Sequence, residues 1–516
     1  MRINDLIKKL QLSAGRIITT LDKKKVDVPF PLLYEKVVSM VYHLKKMNLG
    51  TNCKLGIISN NDLKWVIADL ACIHCGIKLV PLEPSARLDL FGAENFEIKT
   101  ILIGDDLSGE IEQLTALGVT CVKLSSLVTD DKRSEGKPPH QYDPGEILSY
   151  KCTSGSTGKQ KVIGQSVESV ESTIKIVQEL FRHSNNERVL VFLPLNLLQQ
   201  RYWIYSAIAF EFTVIVAHRN RVFEFIKTER PTVIMGVPCI YEVIQEGFRS
   251  ILLTDDNAKL EYENYLSQKE GKDNKPFKLF VDYLGGNVNY LWTGSAPIAH
   301  ELIDFYFDLG VPLYQGYGMN ETCIISKNYP GNNKIGSVGK PLPNITIQFD
   351  DRNQILVKNK YPVCIKYSVA AQSDQEIFRE DGFVSTGDVG YLDDEGYLFI
   401  NGRIKEMITL ASSKKVFPAV IEGKIQASDE VSRCVLCGDR RPYLTAVIVP
   451  VQQSTPSEKI EALVNQYNFE AKPEEQIYKF IIVHDQLDEF LTNQNKIKRA
   501  KVLEKYEFEL NELYNK

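Results

Sequence analysis

Residues 149–164 read SYKCTSGSTGKQKVIG. Four hydroxyl side chains, Thr153, Ser154, Ser156 and Thr157, crowd around Gly155 and Gly158, with Lys159 and Lys161 close behind. Hydroxyls and exposed backbone amides can surround phosphate oxygens, glycine lets the main chain approach them, and lysine adds compensating charge. The obvious competitor, a Walker A loop, fails at two places. Thr153 stands where its first glycine belongs, and Gln160 follows Lys159 where Ser or Thr would bind magnesium. Taken alone, the segment reads equally well as a flexible Ser/Gly linker.

Outward from this stretch the chain alternates two patterns. Leu33, Val37, Val38, Val41 and Leu44 recur at spacings of three and four, which predicts an amphipathic helix over 32–47. Short apolar runs predict strands from Lys54 and at 100–103, 189–193, 212–216, 232–237 and 311–314, with helix-length patterns between several of them. That alternation argues for an α/β fold with parallel layers. Polar stretches at 128–146 and 255–276 read as surface loops or exposed helices.

The chain has 516 residues, roughly three times the ~150 that serve as a soft prior for one domain. With 44% hydrophobic and 25% charged residues, collagen-like, disordered and disulfide-scaffold classes fall away. A net charge of −5 gives no general attraction to nucleic acid or anionic membrane. The opening residues, MRINDLIKKLQLSAGR, are interrupted by charge before a signal-peptide run develops, so a cytoplasmic protein is expected. The most apolar long stretch, 202–217, contains Glu211 and falls short of the ~20 residues of a spanning helix. Buried core is the expectation there.

Cys72 with Cys75, and Cys434 with Cys437, form two CxxC pairs among ten cysteines. Zinc is one reading; buried reduced thiols are the other. None of the seven histidines forms HExxH or a close pair, so the usual ligands of metal hydrolysis are missing. After about Gly402 the pattern changes to short strands and helices and ends in a lysine-rich segment near Lys496. A large N-terminal domain of layered sheets and helices (1–402) and a smaller α+β C-terminal domain (403–516) are expected.

The phosphate-loop-like segment is joined by WTGSAP at Trp292, YQGYGMNET at Tyr314, STGDVGYLDDEGYLFINGRIKE from Ser385 and LTNQNKIKRAK from Leu491. These five motifs, in this order, resemble those of the adenylate-forming enzymes: acyl-CoA synthetases, luciferases and nonribosomal-peptide adenylation domains. The last two, with KKVFPAVIE at Lys414, look most like the fatty acyl-CoA synthetase branch. The resemblance implies that ATP activates a carboxylic acid, such as a medium- or long-chain fatty acid, to an acyl adenylate. The acyl group then passes to CoA, or to the phosphopantetheine arm of a carrier protein. A noncatalytic nucleotide-binding relative is the alternative from another class.

A carboxylate is already nucleophilic, so such an enzyme supplies mainly alignment and relief of crowded negative charge. By the resemblance, residues 153–158 and Lys161 hold phosphates, while Gly294, Ser295 and Ala296 form one wall for adenine. Tyr317, between Gly316 and Gly318, stacks on the base, and Gln315 bonds its amino group. Glu321 helps hold Mg2+, and Asn320 and Thr322 contact phosphate oxygens. Asp388 receives the ribose hydroxyls and Arg403 approaches ribose or phosphate. Lys496 bridges the carboxylate and the α-phosphate, and Lys405 is the hinge. Locally each has a plainer reading. Tyr317 fits a turn aromatic, Glu321 a helix-capping acid, Asp388 a turn aspartate, Lys405 a solvated helix-end lysine, and Lys496 part of a solvated basic tail.

Three positions depart from the family pattern. Asn320 stands where threonine is common, and Ser413 replaces a frequent glycine before KKVFP, which bears on free CoA as acceptor. LPLNLLQQRYW at Leu193 lacks the usual aromatic-His pair and offers Gln199, Gln200 and Arg201. These three line an acyl pocket or face solvent from a helix. An inward Arg201 would favour an acid with a second polar or anionic group.

Overall fold

Apolar runs become strands and the periodic stretches between them become helices. The computed structural model describes the whole chain except residues 83–95, 129–137, 155–159, 269–274, 370–374, 486, 491–496 and 516. The 32–47 pattern is the helix Phe30–Lys46, and the run from Lys54 is the strand Lys54–Ile58. The chain divides into two compact units. The first comprises Met1–Ala296, Asp304–Gln348 and Leu356–Ser385; the second comprises Pro297–Ile303, Phe349–Ile355 and Thr386–Lys516.

The first unit contains a nine-stranded and a six-stranded sheet. In the larger, Leu313–Met319, Tyr290–Thr293, Val233–Met235, Arg188–Val191, Thr213–Val216 and Arg16–Leu21 lie parallel in that order. Antiparallel strands finish both edges. In the smaller, Lys54–Ile58 lies between Thr100–Ile103 and Lys78–Pro81, all parallel. The antiparallel pair Ile147–Ser154 and Gln160–Ser166 closes one edge. Parallel strands buried on both faces read as continuous apolar runs. Here Leu55 and Ile57 enter one core while Ile58, Ile101 and Ile103 enter another.

Helix Leu63–Cys75 is buried at every position and shares its core with both sheets and with helix Leu198–Phe210. Asp62 starts it by accepting from the Trp65 amide, and Gly76 ends it at φ +70°. A helix apolar nearly all round belongs inside a layered protein. Each large apolar side chain it buries stabilises the fold by about 1.5–3 kcal/mol. The 202–217 stretch is core as expected: helix Leu198–Phe210 runs into strand Thr213–Val216, with exposed Glu211 as the left-handed residue between them. The polar stretch after Asp255 contains the helix Asp256–Gln268, which buries only Ala258. No helix among the described residues is long and apolar enough to cross a membrane.

In the second unit, Val431–Cys437 pairs antiparallel with Leu444–Pro450, which pairs parallel with Ile477–Ile482. One sheet face sends Cys434, Leu436, Ala446 and Ile448 against Ile421, Ile460 and Val464. The other sends Val435, Val447 and Val449 against Val502, Tyr506 and Leu510. This unit is therefore an α+β body with its own core. All ten cysteines are free thiols; Cys72 is buried in a helix and Cys434 in a strand.

Candidate functional site

Strands Ile147–Ser154 and Gln160–Ser166 form a hairpin in which Thr153 faces Lys161 and Ser154 faces Gln160. Gly155, Ser156, Thr157 and Gly158 lie outside the described residues, as do the side chains of Thr153 and Ser154. Lys161 extends over the ring of Tyr367, its Nζ 5.2 Å from the centroid. The Tyr367 hydroxyl donates to Glu321 Oε1 at 2.5 Å. Gln375 fixes this tyrosine from both backbone sides, accepting from its amide at 2.8 Å and donating to its carbonyl at 3.1 Å. Sequence reading missed Tyr367, and no motif quoted above contains it.

Glu321 is not a helix-capping acid. It stands with Asn320 and Thr322 in the tight connection between Leu313–Met319 and Cys323–Lys327, whose ends pair Met319 with Cys323. Cys323 takes φ +62° to close this turn, and a Cβ on Gly318 would meet the Cys323 carbonyl oxygen at 2.2 Å. Glycine is required there. Thr322 is 1% exposed and its hydroxyl approaches the Cys323 carbonyl at 3.5 Å.

The WTGSAP and YQGYG motifs lie side by side. Trp292 faces Tyr314 and Thr293 faces Gln315 across parallel strands, so Gly294, Ser295 and Ala296 leave the carboxyl end of one strand beside Gln315, Gly316, Tyr317 and Gly318 of the next. Ligands of open α/β sheets bind outside the carboxyl ends of strands. A Cβ on Gly294 would stand 3.1 Å from the Gly316 carbonyl oxygen, and Ser295 takes φ +69°. Tyr317 is strand-borne, opposite Ser326, so its turn-aromatic reading falls.

Beneath these strands lies a residue the sequence did not single out. Lys327 is buried, donates to the carbonyls of Tyr314 (2.6 Å) and Thr293 (3.3 Å), and sits 3.8 Å from the Trp292 ring centroid. Burial pushes its ammonium well below the usual lysine range. Within an apolar run, one lysine carries no readable signal of this kind.

A cavity next to Gly294 and Ser295 is lined by Gln199 and Gln200, and also by Trp203, Met235 and Trp292. Arg201 does not line it. It is 0% exposed and donates to Asp69 Oδ1 at 3.1 Å and to Ser149 Oγ at 3.0 Å; Tyr205 donates to the other Asp69 oxygen at 2.5 Å. Burial raises the Asp69 pKa, opposed by the Arg201 charge. The helix turn between Gln200 and Arg201 points the guanidinium into the core, so Arg201 is no pocket residue.

In the second unit, Asp388 lies on strand Val384–Leu392 opposite Arg403 on Leu398–Arg403, not in a turn. Arg403 Nε is 2.7 Å from the buried Asp388 carboxylate while its own side chain stays half exposed. Lys405 is exposed in the single turn Ile404–Glu406. Ser413 holds φ +63°, a left-handed conformation that costs a non-glycine residue about 1–2 kcal/mol. Lys496 lies outside the described residues. Just beyond it, Arg499 forms a two-pronged ion pair with Glu422 (2.5 and 2.6 Å) and donates to the Leu436 carbonyl, anchoring helix Arg499–Lys505 to the sheet.

Residues 23–360 match the family model of the AMP-binding enzymes, and 405–516 match the AMP-binding enzyme C-terminal domain. The long-chain-fatty-acid–CoA ligase FadD15 of Mycobacterium bovis is 29% identical over 89% of this chain and 88% of its own. The mouse long-chain-fatty-acid–CoA ligase 6 is 26% identical over 84% and 72%. Among solved structures, Bacillus subtilis o-succinylbenzoate CoA synthetase with its OSB-AMP intermediate has a TM-score of 0.76 at 21% identity, over 97% of both chains, a likeness of fold. The chain belongs to the AMP-binding enzyme family, within the acyl-CoA synthetase branch of the adenylate-forming superfamily.

Proposed function

We propose that this chain activates a carboxylic acid with ATP, releasing pyrophosphate and forming an acyl adenylate, and then transfers the acyl group to CoA. The carboxylate oxygen attacks the α-phosphorus, the bond to pyrophosphate breaks, and the thiol later displaces AMP. The observation that carries this reading is Tyr367. Its ring underlies Lys161 at the end of the phosphate hairpin, and its hydroxyl holds Glu321. Two anion- and cation-handling motifs, 160 residues apart in sequence by number, thus meet on one side chain.

The donor set fits magnesium, which takes one or two protein carboxylates and fills its shell with water and substrate phosphates. Glu321 keeps its second oxygen for that purpose while Tyr367 fixes the first. Bound there, Mg2+ would offset charge on the phosphates. Residues 153–158 and Lys161 are proposed to hold those phosphates, with Asn320 at the turn. Gly294, Ser295 and Ala296 are proposed as the adenine wall, Tyr317 as its stacking partner and Gln315 as its hydrogen-bonding partner. The close approach of Gly294 to Gly316 supports this: it brings the two motif backbones together where a flat base needs bare main chain. Asp388 is proposed to receive the ribose hydroxyls, with Arg403, already oriented on it, beside it.

Lys496 is proposed as the adenylation lysine and residues 403–516 as the moving part, turning at Lys405. Gln199 and Gln200 are proposed to line the acyl site. The names of the relatives favour a fatty acid as substrate and CoA as acceptor; a carrier-protein thiol is the second reading, favoured by Ser413 standing where glycine is frequent. Acid-dependent exchange of pyrophosphate into ATP tests the first step, and supplying CoA or a carrier protein identifies the acceptor.

A further inference from the structure

Helix Leu198–Phe210 brings polar side chains into the cavity beside Gly294 and Ser295. Gln200 is only 7% exposed, and its carbonyl oxygen is buried with no hydrogen-bond partner among the described residues. Gln199 Nε2 and Thr173 Oγ1, also on the cavity, reach only the Cys323 sulfur, each at 4.0 Å. Thioether and thiol sulfurs are weak acceptors. The cavity wall therefore has hydrogen-bonding capacity that the protein itself leaves unfilled, and a buried amide without a partner is destabilising. No Lys, Arg, Asp or Glu lines the cavity among the described residues. Arg201, next to Gln200 in sequence, does not line it and pairs through Nη1 with Asp69. The rest of the wall is mainly apolar, including Val177, Met235 and Ile324, with the neutral hydroxyls of Tyr202, Ser206 and Ser295 among it.

We propose that the acid activated by this chain carries a neutral hydrogen-bonding group, a hydroxyl or an amide, on an otherwise apolar acyl group, and that the Gln200 amide pairs with it. The inference rests on the adenylation reading and narrows its substrate class. A plain alkyl chain would cover the Gln200 oxygen without pairing it. A second carboxylate would enter a wall without counter-charge, which is more costly still. Sites built around a substrate hydroxyl discriminate strongly against the analogue that lacks it.

The test is pyrophosphate exchange with hexanoate, decanoate and hexadecanoate, each beside its hydroxylated isomers and its dicarboxylic counterpart. The expected result is that at least one hydroxylated acid exceeds its plain parent by about tenfold or more in kcat/KM. The dicarboxylic acids should fall below both. In Gln200→Leu the ratio of hydroxylated to plain acid should fall toward one. Plain acids equal to or better than every hydroxylated isomer in the unaltered protein would overturn the inference while leaving adenylation standing, and this comparison needs no variant to fold. A Gln200→Leu protein that keeps the tenfold ratio would overturn it too. Exchange with no acid at all would overturn the adenylation reading and this inference with it.

Discussion

Arg201 shows how far one side chain's direction governs an interpretation. Its guanidinium, flanked by glutamines in sequence, is locked to Asp69 and Ser149 in the core. Removing one partner of a buried ion pair strands the other charge, so Arg201→Met should lower stability by about 3–5 kcal/mol. Thermal unfolding would check this; a loss under about 1 kcal/mol, together with altered acid preference, would return Arg201 to the pocket. Tyr367→Phe should keep the ring beneath Lys161 and lose only the hydroxyl on Glu321. The Mg2+ concentration for half-maximal exchange should then rise by about tenfold, as when other outer partners of metal ligands are removed. An unchanged Mg2+ requirement would separate Tyr367 from the metal. Residue types in motifs were legible from sequence, as with Glu321 and Asp388. Orientation was not, because Gln200 and Arg201 are neighbours whose environments differ only through long-range packing.

Hairpins and adjacent strands turn the motifs into a site. The turn at Asn320–Glu321–Thr322 exists because Gly318 admits the Cys323 carbonyl at a distance no side chain tolerates. Gly318→Ala should therefore disturb Glu321 and sharply reduce exchange. A variant retaining full activity would show that the turn adapts freely. Lys327 ties two motif strands through the Thr293 and Tyr314 carbonyls. With its folded pKa depressed, the unfolded chain binds more protons at this lysine, so its contribution to stability grows as pH rises toward the ordinary lysine value and is lost as pH falls. Urea unfolding should show a steeper stability gain from about pH 7 to about pH 9 in the unaltered protein than in Lys327→Met. Equal slopes would contradict it. Strands such as Thr100–Ile103 were readable because parallel runs are continuously apolar. The antiparallel return Cys323–Lys327 was not, since its lysine breaks the apolar pattern.

The whole molecule comprises two bodies with separate cores, and the motifs are divided between them: the phosphate hairpin, the adenine-wall and Glu321 segments in the first, Asp388, Arg403 and Lys405 in the second. In sequence the pattern changes after Gly402. The inclusion of 386–402 in the second compact unit was not visible, because Asp388 and Arg403 are joined by strand pairing. If residues 403–516 turn at Lys405, Lys405→Pro should retain adenylation while cutting thioester formation by roughly a hundredfold; equal loss of both steps would count against rotation. The central claim is acid-dependent adenylation, and the direct measurement is incorporation of labelled pyrophosphate into ATP across a broad carboxylic-acid library, with Lys496→Ala alongside. The account predicts exchange that requires an acid and falls by about a hundredfold or more in the variant. Background exchange with every acid, or equal exchange in Lys496→Ala, would contradict it.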